Sequence, residues 1–208
     1  MRACRVLTRA GSYAAVLVFG LFGAVRCEGA TLEVGAGKAF ATIAAAVDAA
    51  GPGDAILVDP GTYAEEFTID KPLTLAGADP ENRPLVDLPD GDLVRVRILS
   101  SGVTLQDLHI RKLDTVYSGG GTNCLVEIPR GGSWPNLTVE YGEVTFRRVL
   151  FDGGRRGGFW TVRNLTLDEC RFEGQQREAL YFYAVAGETN IRNTEFAMTL
   201  GKDPALTF

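Results

Sequence analysis

One short pattern of apolar residues recurs along this chain. The stretch 103–110 reads VTLQDLHI, and the same arrangement returns at 144–151 and 165–172, more weakly at 189–196, with a half copy at 73–75. The central apolar residue steps 30, 41, 21 and 24 positions along this series. Steps of this size are typical of a solenoid in which each repeat forms one coil, with a further coil hidden in the 41-residue step. The repeat constrains the architecture before any local propensity is considered.

Each copy alternates apolar and polar residues, bends, and alternates again. A single copy cannot bury its inward residues, whereas stacking copies at about 4.8 Å per rung closes one core. This register predicts inward side chains at Val103, Leu105, Leu108 and Ile110, at Val144, Phe146, Val149 and Phe151, and at Leu165, Leu167, Cys170 and Phe172. It also predicts an outward ladder, favourable for β-branched residues, of Thr74, Thr104, Thr145, Thr166 and Asn190.

The N-terminal segment predicts export. A basic start and an apolar stretch from about residue 14 to residue 25 indicate a signal peptide at 1–30, too short for a membrane span. Cleavage is expected between Cys27 and Thr31, and a lipid-anchored Cys27 or an uncleaved anchor are the alternatives. We therefore expect a secreted, periplasmic or cell-surface protein with no stable membrane span after cleavage, and with one domain at 31–208.

The net charge of the mature chain limits the classes of partner that we expect it to bind. Removal of residues 1–30 takes away four arginines and Glu28, which leaves 17 basic and 25 acidic residues and a formal charge of -8. An acidic protein is a poor partner for nucleic acid or anionic membranes. A strongly anionic polysaccharide would also need a local basic patch.

The region after the signal peptide predicts a helix and then strands. Apolar residues at i, i+3, i+4 and i+7 favour a helix over 40–50, which Gly51 would end. The stretches 35–58 and 60–63 closely resemble the opening of pectin-lyase-like right-handed parallel β-helix proteins, and the likeness covers about residues 31 to 78. The resemblance implies an all-β solenoid whose early helix caps the first rung, and the later repeats extend it along the chain.

The same resemblance directs the search for catalytic residues. Pectinesterases of this class carry two aspartates on neighbouring strands, with a glutamine and an arginine nearby. The segment 150–154 lacks the aspartate expected before its phenylalanine, and no partner motif is found. We therefore do not predict an esterase.

A polysaccharide lyase is the alternative enzyme. Lyases of this fold use a basic side chain as the base and neutralise a uronate carboxylate with Ca²⁺ or another cation. The register places His109, Leu150, Arg171 and Glu195 in equivalent outward slots, with Arg111, Asp152 and Glu173 one slot along and Lys112 just beyond. Arg111, Asp152 and Arg171 are the candidate catalytic residues, although opposite charges on adjacent rungs also pair simply as surface ion pairs.

Several residues are candidates for glycan binding without catalysis. His109 is the only histidine, and Arg147, Arg148, Arg155 and Arg156 flank the glycine-rich segment 153–158, where they form either an anionic-sugar patch or an ordinary solvated loop. With Glu173 these complete the binding candidates. No cysteine and histidine cluster predicts a metal site, and Cys124 and Cys170 are either buried thiols or a disulfide.

The predicted function is noncatalytic carbohydrate or cell-surface binding, or a structural role, and a lyase acting on uronate-containing glycans is the alternative. No cofactor is expected, except Ca²⁺ under the lyase alternative. The chain stops at 205–208 in a segment that reads as a strand. We therefore expect either a partner chain or second copy on this uncapped rung, or a shortened relative of a longer β-helix.

Overall fold

A computed structural model describes residues 29–91, 94–113, 124–129, 131–133, 136–138, 142–185, 187–197 and 206–207. Side chains are described in these ranges except at 131–133, 136–138, 159–160, 182–185 and 206–207. The predicted signal peptide, apart from its last two residues, lies outside this part of the chain. So do the three consecutive glycines at 119–121.

The first half of the described chain contains a helix and ten strands. In order these are β1 (Thr31–Val34), α1 (Ile43–Ala49), β2 (Ala55–Val58), β3 (Thr62–Tyr63), β4 (Thr68–Ile69), β5 (Thr74–Gly77), β6 (Leu85–Asp87), β7 (Val96–Ile98), β8 (Val103–Gln106), β9 (His109–Lys112) and β10 (Cys124–Ile128).

The second half continues with strands. These are β11 (Gly131–Ser133), β12 (Asn136–Thr138), β13 (Val144–Arg147), β14 (Leu150–Gly153), β15 (Arg156–Val162), β16 (Leu165–Asp168), β17 (Arg171–Glu173), β18 (Leu180–Val185), β19 (Thr189–Arg192), β20 (Glu195–Phe196) and β21 (Leu206–Thr207).

The strands form three long parallel sheets. Sheet A has the order β1-β2-β5-β8-β13-β16-β19, sheet B the order β3-β6-β9-β14-β17-β20, and sheet C the order β4-β7-β10-β15-β18-β21. From β2 onward the chain visits A, B and C in turn, which winds it into a β-helix. The short hairpin β11-β12, inserted between β10 and β13, is the one antiparallel pair among the described strands.

The predicted register is confirmed. Val144 pairs with Val103 on one side and Leu165 on the other, and Phe151 lies between Ile110 and Phe172 in the same way. All twelve predicted inward residues are buried. Burial of each such side chain contributes about 1.5–3 kcal/mol, so stacking in register supplies the main driving force for the coil. The threonine ladder is confirmed on the outer face of sheet A, ending at Asn190.

A left-handed residue bends each repeat between its A and B strands. Asp107, Arg148, Glu169 and Asn193 occupy the same slot of successive copies and have φ between 49° and 55°. Residues other than glycine pay a steric cost in this region, but the amides of Asp107, Arg148 and Glu169 each donate to a carbonyl of an adjacent coil. The fourth and fifth positions of each eight-residue copy therefore form the corner of the coil.

The helix is shorter than predicted. It begins at Ile43 because Thr42 is extended and its hydroxyl accepts from the Ala45 amide at 3.3 Å. The Glu65 carboxylate caps the same end by accepting from the amides of Ile43 and Ala44, at 2.8 Å and 2.9 Å. Its buried residues Ile43, Ala46 and Val47 join the core, which is the packing that a capping helix requires.

Candidate functional site

The outer face of sheet B carries the two predicted rows of side chains. His109 pairs with Leu150 and Leu150 with Arg171, and Arg171 pairs with Glu195, so these four share one row across successive strands. The second row contains Asp87, Arg111, Asp152 and Glu173. The predicted site residues His109, Arg111, Asp152, Arg171 and Glu173 therefore lie on one face, as the repeat register requires.

Charges in this face are paired at short range. The Arg111 guanidinium donates to both carboxylate oxygens of Asp87, from Nε at 3.0 Å and from Nη2 at 2.8 Å. Hydrogen bonding to Arg111 lowers the pKa of Asp87, and the same bond raises the pKa of Arg111. Both groups are therefore fixed in their charged forms, so Arg111 is a poor proton acceptor.

Asp152 engages the histidine. His109 Nε2 lies 3.2 Å from Asp152 Oδ2, and both side chains are about one quarter exposed. This contact fixes the imidazole ring against the sheet while its other edge stays accessible. Asp87 and Asp152 lie on either side of Arg111 rather than on neighbouring strands, and their row contains no glutamine, so the arrangement differs from the esterase pattern.

Arg171 is the most exposed of the three candidate catalytic residues. Its side chain is 49% exposed, and it donates to Glu173 at 2.6 Å and to Glu195 at 2.8 Å. The hydrogen bond to Glu173 raises the pKa of Arg171 further above its ordinary value. Arg171 is thus a cation held between two carboxylates.

The four arginines that flank the glycine loop do not share one face. Arg147 lies on the outer face of sheet A, where it contacts Asp168 at 3.5 Å, and Arg148 binds Asp107 at the corner of the coil. Arg156 begins the sheet C strand β15, two corners away, and Arg155 directly precedes it. One turn of the β-helix thus carries neighbouring sequence positions onto different faces.

Arg156 belongs to a separate set of contacts on sheet C. It donates to Glu178 at 2.8 Å, and its guanidinium lies 5.0 Å from the centre of the Tyr181 ring. Farther along the same sheet, Glu127 accepts from Arg95 at 2.6 Å and from Arg97 at 3.3 Å. This face is cationic but closely compensated by buried carboxylates.

A cleft lies beside sheet B, next to the segment 78–84 that joins β5 to β6. It has a volume of about 370 Å³ and is lined by Pro80, Glu81, Asn82, Arg83, His109 and Leu150. Arg83 is half-buried there, and it forms no ion pair with a described residue. The sequence shows this segment only as a polar insertion between prolines, and it does not show that the insertion folds over the row containing His109.

Lys112, the residue after Arg111, is not part of the exposed charged face. Its side chain is 0% exposed and points inward at the corner between sheets B and C. Its ammonium donates to the carbonyls of Gly91 at 2.6 Å and Val94 at 2.8 Å. Lys112 therefore anchors the segment before β7 and is a structural residue, because the strand alternation turns this slot inward.

The two cysteines in the described chain are free, buried thiols. Burial raises the pKa of Cys124 to about 12 and that of Cys170 to about 11, so neither is a reactive thiolate at neutral pH. Of the two alternatives that the sequence left open, the structure has the thiols rather than the disulfide. No group of three or more potential metal ligands occurs among the described residues.

No family model and no curated protein matches the chain. A pectin methylesterase from Aspergillus niger, in deglycosylated form, superposes with a TM-score of 0.57 over 85% of this chain and 61% of that chain, at 19% identity. A pectin methylesterase from Erwinia chrysanthemi superposes with a TM-score of 0.48 over 81% of this chain and 66% of that chain, at 14% identity.

At this level of identity the likeness establishes the fold. Together with the A-B-C winding of the parallel sheets, it identifies the chain as an all-β solenoid. The described chain has no helix long and apolar enough to cross a membrane. The protein has the right-handed parallel β-helix fold of the pectin-lyase-like proteins, as its opening residues predict.

Proposed function

We propose that this protein is exported and binds uronate-containing polysaccharide along the outer face of sheet B, without cleaving it. The observation that carries the proposal is Arg83, a half-buried cation in a cleft beside His109 that forms no ion pair with a described residue. Export is supported by the signal-like N-terminal segment.

Arg83 supplies a guanidinium group that can bind the carboxylate of an acidic sugar. A guanidinium recognises a carboxylate through two parallel hydrogen bonds, and this bond is stronger where water is partly excluded. The other arginines on this face, Arg111 and Arg171, already bind carboxylates of the protein. Since the whole chain is acidic, an available cation at this position attracts an anionic ligand to one place rather than to the whole surface.

The floor of the cleft suits a sugar ring. Leu150 offers an apolar surface for ring CH groups, and His109, held by Asp152, offers a polar nitrogen edge for a hydroxyl. Beyond Leu150 the same row continues to Arg171. A linear glycan lying along the helix axis would therefore contact the cleft first and the charged row next.

The pairing of the basic residues favours binding over catalysis. A base for β-elimination must accept a proton, whereas Arg111 and Arg171 are hydrogen-bonded to carboxylates that raise their pKa values. The Aspergillus niger protein of the same fold is a pectin methylesterase, which makes pectic glycans sensible first ligands.

The test is calorimetric titration with oligogalacturonate. We expect Arg83→Ala to weaken binding at least tenfold, the loss of one charge-assisted contact of roughly 1.5–3 kcal/mol. Arg192→Ala is the matched control. Arg192 is an exposed arginine on sheet A, so its substitution removes the same charge from another face. Equal affinity of the two variants, or no binding by the wild-type protein, would reject the proposal.

A lyase remains the second candidate, because His109 lies in contact with Asp152 beside Arg83. In that case the imidazole, rather than an arginine, would remove the proton next to the uronate carboxylate, with Ca²⁺ or Arg83 neutralising that carboxylate. The assay is ultraviolet absorbance of the unsaturated product from uronate polysaccharides, with and without Ca²⁺. Turnover that is lost in His109→Ala or Arg171→Ala would establish catalysis and overturn the binding proposal.

A further inference from the structure

The outer face of sheet A contains a second cavity, away from the sheet B cleft. It has a volume of about 580 Å³ and spans the beginnings of β13, β16 and β19. Its polar lining residues are Glu143, Thr145, Asn164, Thr166, Glu188 and Asn190. None of these belongs to the charged rows on sheet B.

The parallel register orders these side chains into a grid. Thr145 pairs with Thr166, and Thr166 pairs with Asn190, so these three form one outward row on successive rungs. The residues two positions earlier, Glu143, Asn164 and Glu188, lie just before the three strands and form a second row along the edge of the cavity. Rungs are about 4.8 Å apart, so the grid has the dimensions of a sugar ring.

The middle of the second row is held in place. Asn164 Oδ1 accepts from the Glu188 amide at 3.1 Å, which directs the amide NH₂ group away from the backbone as a donor. This approach depends on Gly187, since a Cβ atom there would clash with Asn164 Oδ1 and with the Arg163 carbonyl oxygen. The backbone of the last coil is thus shaped to bring Asn164 into the cavity.

The chemistry of the lining selects the ligand class. Threonine hydroxyls both donate and accept, the asparagine amides do the same, and the two glutamates accept, which matches the mixed donor and acceptor hydroxyls of a sugar. The lining contains no cation, and two carboxylates at its edge disfavour an anionic glycan. We infer that the Thr145–Thr166–Asn190 grid on sheet A is a second binding site, for neutral oligosaccharides.

The inference is independent of the sheet B proposal and predicts the opposite charge preference. It is tested by titrating the full-length protein with β-1,4-linked xylo-, manno-, gluco- and galacto-oligosaccharides at concentrations up to the millimolar range. We expect at least one of these neutral series to bind. We also expect Thr166→Val, which removes one hydroxyl while keeping a β-branched side chain, to weaken that binding roughly threefold to tenfold.

The chain offers a close control. Thr104 stands on the same outward ladder in the same sheet but does not line the cavity, so Thr104→Val should leave the affinity unchanged. Arg83→Ala should also leave neutral binding unchanged, which separates this site from the sheet B cleft. The inference is overturned if no neutral series binds, if Thr166→Val and Thr104→Val have the same affinity, or if Thr166→Val instead lowers oligogalacturonate binding.

Discussion

Phe172 offers the most direct test of the stacked core. Its ring is fully buried and lies between two others, 4.3 Å from Phe151 at an interplanar angle of 3° and 5.1 Å from Phe196 at 12°. Replacing it with alanine removes the buried ring and leaves a cavity between two coils. Large-to-small changes of this kind cost about 3–5 kcal/mol, and the loss of two aromatic contacts of about 0.5–1.5 kcal/mol each places Phe172→Ala in the upper part of that range.

The measurement is urea denaturation followed by circular dichroism, with the free energy of unfolding compared between variants. Phe172→Leu should cost about 1–2 kcal/mol, because it keeps most of the buried apolar volume and loses the ring contacts. Leu113→Ala is the control for an exposed apolar residue, since Leu113 is 59% exposed, and it should change stability by under about 0.5 kcal/mol. A loss below about 1 kcal/mol for Phe172→Ala would refute the stacked arrangement.

Three further predictions follow from single contacts. Lys112→Met leaves the carbonyls of Gly91 and Val94 without their charged donor and should lower the free energy of unfolding by about 1.5–3 kcal/mol, so a variant as stable as wild type in the same urea assay would contradict the structural role of Lys112. Because Cys124 and Cys170 are buried thiols with raised pKa values, they should resist maleimide in the native protein and react fully in denaturant. Mass spectrometry of peptides would identify the labelled residue. Rapid labelling of either cysteine in the native protein would show that it is not buried. The hydrogen bond from Arg111 lowers the pKa of Asp87 below its ordinary value of 3.8, so its stabilisation is present above that pH and is lost as pH falls through and below it. The stability difference between wild type and Asp87→Asn should therefore shrink from about pH 6 to about pH 3 in denaturation experiments, and a constant difference would show that the pair is not coupled to protonation.

The repeat period predicts which residues of the candidate site share a face, but it does not predict which side chains contact each other. His109, Arg111, Asp152, Arg171 and Glu173 were placed together from the repeat alone, because residues in equivalent slots of a stacked coil lie one rung apart. Their individual partners were not predictable. Whether Arg111 turns towards Asp87 or towards Asp152 depends on side-chain rotamers and competing contacts rather than on register.

The residues that sequence reasoning missed or misplaced lie at corners and insertions. Arg83 is in a segment outside the repeat, whose path over sheet B is set by the coil beneath it. Lys112 directly follows Arg111, but its slot turns inward where sheet B meets sheet C. Arg147 and Arg156 are near in sequence but lie on different faces, because two corners separate them.

The coil, its register and its inward residues follow from the sequence alone, since the hydrophobic pattern repeats locally and is satisfied only when copies stack. Which charges pair, where the 78–84 segment lies, and how the six polar side chains beside sheet A come together into a cavity become clear only in the folded chain. Those features depend on the angle of each corner and on the packing of neighbouring coils, which bring together residues more than twenty positions apart in the chain.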